Sequence, residues 1–206
     1  MEKLIDLSQV IKDEMPVYPG DLKTSLFQTQ YLSVHKYNSY RLDINSHAGT
    51  HIDSPMHLTE RRRFIGELPL ESFIGVGSIL DVRKQPVIKM KTEYVGLIKE
   101  GSIVLLYTGY DQVYGKPEYY HGHPVVDPEF ARFLLSKKVK MLGMDLPSPD
   151  EYPFPVHKLL LENNVYILEN LANLDKLLNL PAFEVIAFPL KIRADSSIAR
   201  VVARVI

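Results

Sequence analysis

Cysteine is absent from all 206 residues. A disulfide scaffold, thiolate metal ligation and a thiol nucleophile are therefore excluded together. Tryptophan is absent too. Neither sign of charge is in excess: 24 Lys plus Arg face 25 Asp plus Glu, a formal charge of −1. Net charge therefore steers the chain toward neither nucleic acid nor acidic lipid. No apolar run approaches the ~18 residues of a membrane span. The start, Met1-Glu-Lys-Leu-Ile-Asp-Leu, lacks the apolar core of a secretion signal. The expectation is a soluble, unexported, cytoplasmic protein with no nucleic-acid or membrane partner. Hydrophobic residues at 46% and charged residues at 24% exclude a disordered, collagenous or coiled-coil chain.

No internal repeat, linker or low-complexity stretch interrupts the chain, so residues 1–206 read as a single domain. Leu4 to Val10 reads as a short strand or helical turn. Tyr40-Arg-Leu-Asp-Ile-Asn alternates apolar and polar residues, the period of a half-buried strand. Ile74 to Val82 and Ser102 to Thr108 read as strands, and the run Ile103-Val-Leu-Leu-Tyr predicts a central one buried on both faces. Asp127 followed by Pro128 and Glu129 is a helix start, with the helix running to Ser136. Val139 to Asp145 predicts a strand entering the Pro-rich loop Leu146-Pro-Ser-Pro-Asp. Val156 to Glu162 is helical, Val165 to Glu169 β-rich, and Asn173 to Leu178 a short helix. Phe183 to Leu190 and Ile198 to Ile206 close the chain as strands joined through Ala194-Asp-Ser-Ser. The whole predicts an α/β fold with a mixed sheet and a few flanking helices.

Chemistry concentrates in His47-Ala-Gly-Thr-His-Ile-Asp-Ser-Pro-Met-His57, three imidazoles and a carboxylate within eleven residues. His47, His51, Asp53 and His57 share one parity and would project from one face of an extended chain. Gly49 and Pro55 disfavour a helix, and Ala48 stands where the helical zinc-protease motif needs Glu. In a straight strand the α-carbons of His47 and His51 would lie roughly 13 Å apart. Donor atoms sharing one zinc are only about 3.3 Å apart. A common ion therefore requires the backbone to bend at Gly49-Thr50, and glycine permits that. Taken singly, these residues could be exposed polar groups in turns. Together they predict a metal or acid–base site. His/Asp ligation suits zinc, manganese or iron over calcium or magnesium.

The segment matches H-x-G-T-H-x-D-x-P-x-H at every fixed position, and in this it resembles the cyclase-like metal-dependent hydrolases, among them the bacterial kynurenine formamidases. The resemblance extends over most of the chain: Tyr18-Pro-Gly-Asp, Leu106-Tyr-Thr-Gly-Tyr, Gly143-Met-Asp-Leu-Pro-Ser, His157, Tyr166-Ile-Leu-Glu-Asn-Leu and Ala187-Phe-Pro-Leu-Lys-Ile. It implies a swivelling β/β/α fold and a site of one or two divalent ions per subunit, zinc foremost with manganese as the alternative. His47, His51 and Asp53 would be ligands, Asp53 bridging when two ions are bound, with His157 and Glu169 completing the set. His57 would be the acid–base catalyst and Tyr18 would line the substrate. The implied reaction is hydrolysis of a small amide, N-formylkynurenine to kynurenine and formate, in a homodimer or homotetramer. The formamidases carry Trp where this chain has Tyr18, which leaves the reaction class intact and opens the substrate to other cyclic amides, imides or lactones.

A divalent ion lowers the pKa of bound water from 15.7 to about 7, and a histidine with an ordinary pKa near 6.5 can shuttle the proton. A rival from another class is a non-catalytic binding module in which the metal is only a structural staple. Lesser candidates carry blander readings. His121-Gly-His123 reads as a surface loop, at most a substrate mouth, and Arg61-Arg-Arg63 as a solvated or inter-subunit surface. Thr108 and Asp111 could orient ligands from behind. Ser148, Ser196 and Ser197 lack a nucleophile-elbow context.

Overall fold

A computed structural model describes residues 3–206. Twelve strands follow one another among these residues: β1 (Leu4–Asp6), β2 (Ser25–Gln30), β3 (Ser39–Asp43), β4 (His51–Asp53), β5 (Ile74–Asp81), β6 (Val87–Ile88), β7 (Ile103–Tyr107), β8 (Val125–Val126), β9 (Met141–Met144), β10 (Tyr166–Glu169), β11 (Phe183–Pro189) and β12 (Ser196–Val205). Helical turns α1 (Leu32–His35), α2 (Tyr94–Leu97) and α3 (Pro117–Tyr120) precede two longer helices, α4 (Pro128–Ser136) and α5 (Pro155–Glu162).

Eight strands form one mixed sheet in the order β1-β12-β11-β5-β7-β9-β10-β4, and β4 pairs again with β12. That second pairing turns the sheet into a barrel-like wall. Strands β5, β7, β9 and β10 run parallel to one another, and the remaining ladders of this sheet are antiparallel. The two longer helices lie in the β7–β9 and β9–β10 connections, as crossovers between parallel strands require. This is the α/β fold with a mixed sheet and few helices that the alternation of elements predicts.

Burial explains the central strands. Val104 and Leu106 of β7 pack with Phe130, Leu134 and Leu160 under the helices. Ile103 and Leu105 of the same strand pack into a second core with Ile52, Leu168, Val185 and Val201. A strand covered on both faces carries apolar residues at every position, hence the continuous run. Helix α4 starts as expected, the Asp127 carboxylate accepting the Glu129 N–H at 2.8 Å.

Two expectations need correction. The alternating Tyr40 to Asn45 segment is not half-buried in the main sheet. It forms β3 of a separate two-stranded ribbon with β2, and Tyr40 and Leu42 stay 63% and 44% exposed. Alternation reports that the two faces differ, not that this chain covers one of them. The last strand begins at Ser196, so Ser196 and Ser197 belong to the ladder rather than to the connection before it. No helix among the described residues is long and apolar enough to cross a membrane.

Candidate metal centre and active site

Strand β4 lies between two partners contributed by distant parts of the chain. Against β10, His51 faces Glu169 and Asp53 faces Ile167. Against β12, Asp53 faces Ser196 and His51 faces Ile198. His51 and Asp53, two residues apart, point to one side together with Glu169. Ile52 turns to the other side, into the core. The chain before β4 bends at Gly49, whose φ of +64° is left-handed and favours glycine. The bend brings the rings of His47 and His51 to 5.1 Å between centroids. The turn required by the motif spacing is present.

His157 enters from the first turn of α5. The Asp150 carboxylate fixes it there, accepting the backbone N–H groups of Val156 at 2.6 Å and His157 at 3.3 Å through Oδ2. Its other oxygen lies 2.6 Å from His157 Nδ1. Each of the three imidazoles is thus held by one nitrogen and turns the other inward. His51 Nδ1 lies 2.9 Å from the Gly49 carbonyl, and His47 Nε2 lies 3.1 Å from Asp195 Oδ2. Acceptors at those outer nitrogens hold a ring hydrogen there and leave the inner nitrogens as the ones that could meet a cation.

The inward atoms converge on two carboxylates. His47 Nδ1 is 2.9 Å from Asp53 Oδ1. His51 Nε2 is 3.4 Å from both Asp53 Oδ1 and Glu169 Oε2. His157 Nε2 is 3.2 Å from Glu169 Oε1 and 3.7 Å from Asp53 Oδ2. Separations of this size are those of ligands around one small ion, about 3.3 Å. Two sets of donors lie within 4.8 Å of one another, His47–Asp53–His57 and His51–Asp53–Glu169, with Asp53 common to both. His51 Nε2, Asp53 Oδ1 and Glu169 Oε1 are buried with no hydrogen-bond partner among the described residues. Buried polar atoms without partners are costly, and a cation between them would satisfy all three. The donor set of imidazoles and carboxylates fits a divalent transition ion.

Electrostatics point the same way. Burial holds the Asp53 carboxyl up, but the charge of His51 and the closeness of the His157 and His47 imidazoles bring it well below the usual carboxylate range. Burial lowers His47, yet its bonds to Asp195 and Asp53 raise it to about 10. Burial likewise works against a charged His157, and its bond to Asp150 with the nearby carboxylates of Asp53 and Glu169 pushes it well above the usual value. The pocket favours positive charge.

His57 follows the strand on the turn after Pro55. Its ring packs 4.2 Å from that of His47, and its Nδ1 lies 2.9 Å from Asp195 Oδ2. It opens onto a cavity of about 190 Å³ that also exposes His47, His51, Asp53, His157 and Glu169. All five residues expected as ligands, with His57 and Tyr18, therefore border one space. Tyr18, Tyr114, Tyr120 and Phe154 wall it on the far side. Tyr18 meets Tyr120 edge to face at 5.9 Å.

Three participants escaped the sequence reading. Asp195 holds two histidines, Asp150 holds one, and Asn170 donates through Nδ2 to the Gly49 carbonyl at 2.9 Å. Asp150 closes a Pro-rich loop seven residues before His157, the one signal available. Other candidates move away from the site. Thr108 donates to Asp145 rather than to a ligand, and Asp111 accepts from the Asn173 N–H. Neither His121 nor His123 borders the cavity, and His123 Nδ1 lies 3.0 Å from the carbonyl of Pro124. Arg61 tethers the surface through Asn164 Oδ1 and the Glu162 carbonyl. Ser148 donates to the Asp150 carbonyl, Ser196 to Ser46 and Ser197 to the Ile198 carbonyl, so none is set up as a nucleophile.

Comparison with known proteins gives consistent results. A family model described as a putative cyclase matches residues 5–151. The kynurenine formamidase of Salinibacter ruber is 29% identical over 210 aligned residues, covering 98% of this chain and 97% of that protein. Isatin hydrolase A from Labrenzia aggregata, solved bound to benzyl benzoate, superposes with a TM-score of 0.85 at 25% identity, covering 99% of this chain and 94% of its own. A predicted metal-dependent hydrolase from Bacillus stearothermophilus superposes at 0.78 with 26% identity, covering 99% and 98%.

Proposed function

The chain belongs to the putative cyclase family, and we propose that it is a metal-dependent hydrolase of amide bonds in small aromatic substrates. His47, His51, Asp53, His157 and Glu169 would hold the ion or ions. The observation that carries this reading is the set of buried, unpartnered atoms on His51, Asp53 and Glu169 facing one another beside an open, aromatic-walled cavity. When bound, a divalent ion supplies a Lewis acid that polarises a carbonyl oxygen and acidifies water. A mere staple would need no cavity and no further histidine, which favours catalysis over a structural role.

The chain's own groups supply the rest. Donation of its Nδ1–H to Asp195 leaves His57 with a lone pair on Nε2. That nitrogen can take a proton from the attacking water and return it to the leaving nitrogen, typically worth about 10²–10⁴-fold in rate. Tyr18 and Tyr120 offer ring faces and edges to an aromatic substrate. An arylamine leaving group needs its proton less than an alkylamine does, so an aryl formamide such as N-formylkynurenine suits the site. The kinship with isatin hydrolase keeps a cyclic amide as the second substrate class.

Zinc is the first choice of ion, manganese the second, and Asp53, close to His47 on one side and to His51 and His157 on the other, supports up to two ions per subunit. The exposed apolar side chains of the β2–β3 ribbon and its connection, among them Phe27, Val34, Tyr37 and Tyr40, support a homodimer or homotetramer. Purified protein is tested with N-formylkynurenine, isatin and simple lactones while bound metal is counted by elemental analysis. Hydrolysis that needs stoichiometric metal and disappears in His57→Ala with the metal retained supports the reading. Full turnover in His57→Ala removes His57 from it, and metal-independent turnover rejects it.

A further inference from the structure

We propose that Asp195 is a positioning residue which orients His57 and His47 together through one carboxylate oxygen, and so ties the acid–base imidazole to the ion-holding cluster. The inference rests on the reading of His57 given above. Oδ2 of Asp195 lies 2.9 Å from His57 Nδ1 and 3.1 Å from His47 Nε2. The two rings it holds pack against each other with centroids 4.2 Å apart.

The carboxylate is placed independently of either ring. The backbone carbonyl of Asp195 accepts both the N–H of Ser54 at 3.0 Å and its hydroxyl at 2.6 Å. The next residue, Ser196, pairs with Asp53 across the β4–β12 ladder. Asp195 is thereby anchored to the strand that carries the central Asp53. Its side chain is one-third exposed, so an ordinary surface ion pair is the competing explanation.

An ionised carboxylate can only accept. Both nitrogens that face Asp195 must therefore carry hydrogen. For His57 this selects the Nδ1–H form and reserves Nε2 as the acceptor for the cavity. For His47 it fixes a hydrogen on Nε2 and leaves Nδ1, 2.9 Å from Asp53 Oδ1, as the nitrogen that would meet an ion. A carboxylate behind a metal-binding imidazole typically changes metal affinity about 10–100-fold. Here the same oxygen also sets the tautomer of the acid–base group, so one substitution should perturb both properties. Asp150 offers the internal contrast, since it holds His157 alone.

The test uses zinc-loaded protein without substrate, in which long-range proton–nitrogen NMR reads the His57 tautomer. Wild type is expected to show Nδ1–H; a resonance pattern of Nε2–H in wild type overturns the proposal without any variant. Asp195→Asn is expected to shift that tautomer, weaken zinc binding about tenfold or more and lower kcat about 10²-fold or more with KM changed only a few-fold. Asp195→Glu should recover part of kcat, and Asp150→Asn should weaken zinc binding and leave the His57 tautomer alone. If Asp195→Asn keeps tautomer, zinc affinity and kcat, Asp195 is a surface ion pair only. If instead His57→Ala keeps full turnover while Asp195→Asn still moves tautomer and zinc affinity, the acid–base reading of His57 falls and the positioning role stands.

Discussion

Glu169 stands directly across the β4–β10 ladder from His51, and their side chains meet with Oε2 3.4 Å from Nε2, neither residue exposed. An ion held by a pair of this kind, on strands separated by more than a hundred residues, would contribute to the fold's stability. Saturation at about 100 times Kd adds roughly 2.7 kcal/mol, which for a chain of this size is about 5–10 °C in Tm. Metal-stripped protein is therefore expected to melt lower and to recover on adding zinc. Glu169→Gln should blunt the recovery. An equal rise in the variant would show that Glu169 takes no part in binding.

Gly49→Ala tests the bend. A left-handed φ costs an L-residue roughly 1–2 kcal/mol. The new Cβ would also sit 2.7 Å from Met15 Cε, the movable end of a flexible side chain. The Gly49 carbonyl faces His51 Nδ1 and accepts from Asn170, so the strain passes to the proposed ligand His51. Both thermal stability and zinc affinity should fall. Stability loss with unchanged affinity would separate the bend from the ion site.

Tyr18 should act on substrate affinity rather than on the chemical step. An aromatic pair is worth about 0.5–1.5 kcal/mol, or about 2–10-fold. Tyr18→Ala is expected to raise KM by that factor at nearly constant kcat, and Tyr18→Trp to keep or lower KM for an aryl formamide. A kcat effect that exceeds the KM effect would place Tyr18 in the reaction itself.

Asp145 predicts a pH effect. Burial pushes its carboxyl from 3.8 up to about 6, more than the donations from Thr108 and Gly109 pull it down. The folded state holds this proton more tightly than the unfolded chain, so stability falls as pH rises between these values. The difference, 6 − 3.8 = 2.2, corresponds to about 3 kcal/mol. Asn at this position never ionises. Denaturant melts of Asp145→Asn and wild type should diverge in the variant's favour from pH 4 to pH 6; parallel curves would contradict the prediction.

The β2–β3 ribbon predicts a concentration-dependent assembly. A two-stranded ribbon is marginal in water without cover, and Tyr40 and Leu42 stand exposed on one face of β3. Tyr40→Glu with Leu42→Lys should lower the sedimentation coefficient of the oligomer. A wild type that sediments as a monomer at all concentrations would refute the assembly.

Much of the site was readable along the chain because its first half is local. His47, His51, Asp53 and His57 lie within eleven residues, and their chemical type, their parity and one glycine already point to a bent segment and a metal or acid–base site. Strand β7 was readable for a similar reason: burial on both faces writes itself as an unbroken apolar run. The ribbon strand β3 shows the limit, since its pattern is that of a covered strand and the cover is not in the main sheet.

Asp195, Asp150 and Asn170 carry no such mark. Each is a single polar residue in a loop or at a strand end, and a single polar residue has no period that marks it. Local order in a chain extends over a few residues, so spacing within one segment can announce a donor set. The choice of β10 and β12 as the neighbours of β4 depends on burying both faces of an eight-stranded sheet at once. That packing brings Glu169 opposite His51 and delivers Asp195 to two imidazoles nearly 140 and 150 residues earlier in the chain.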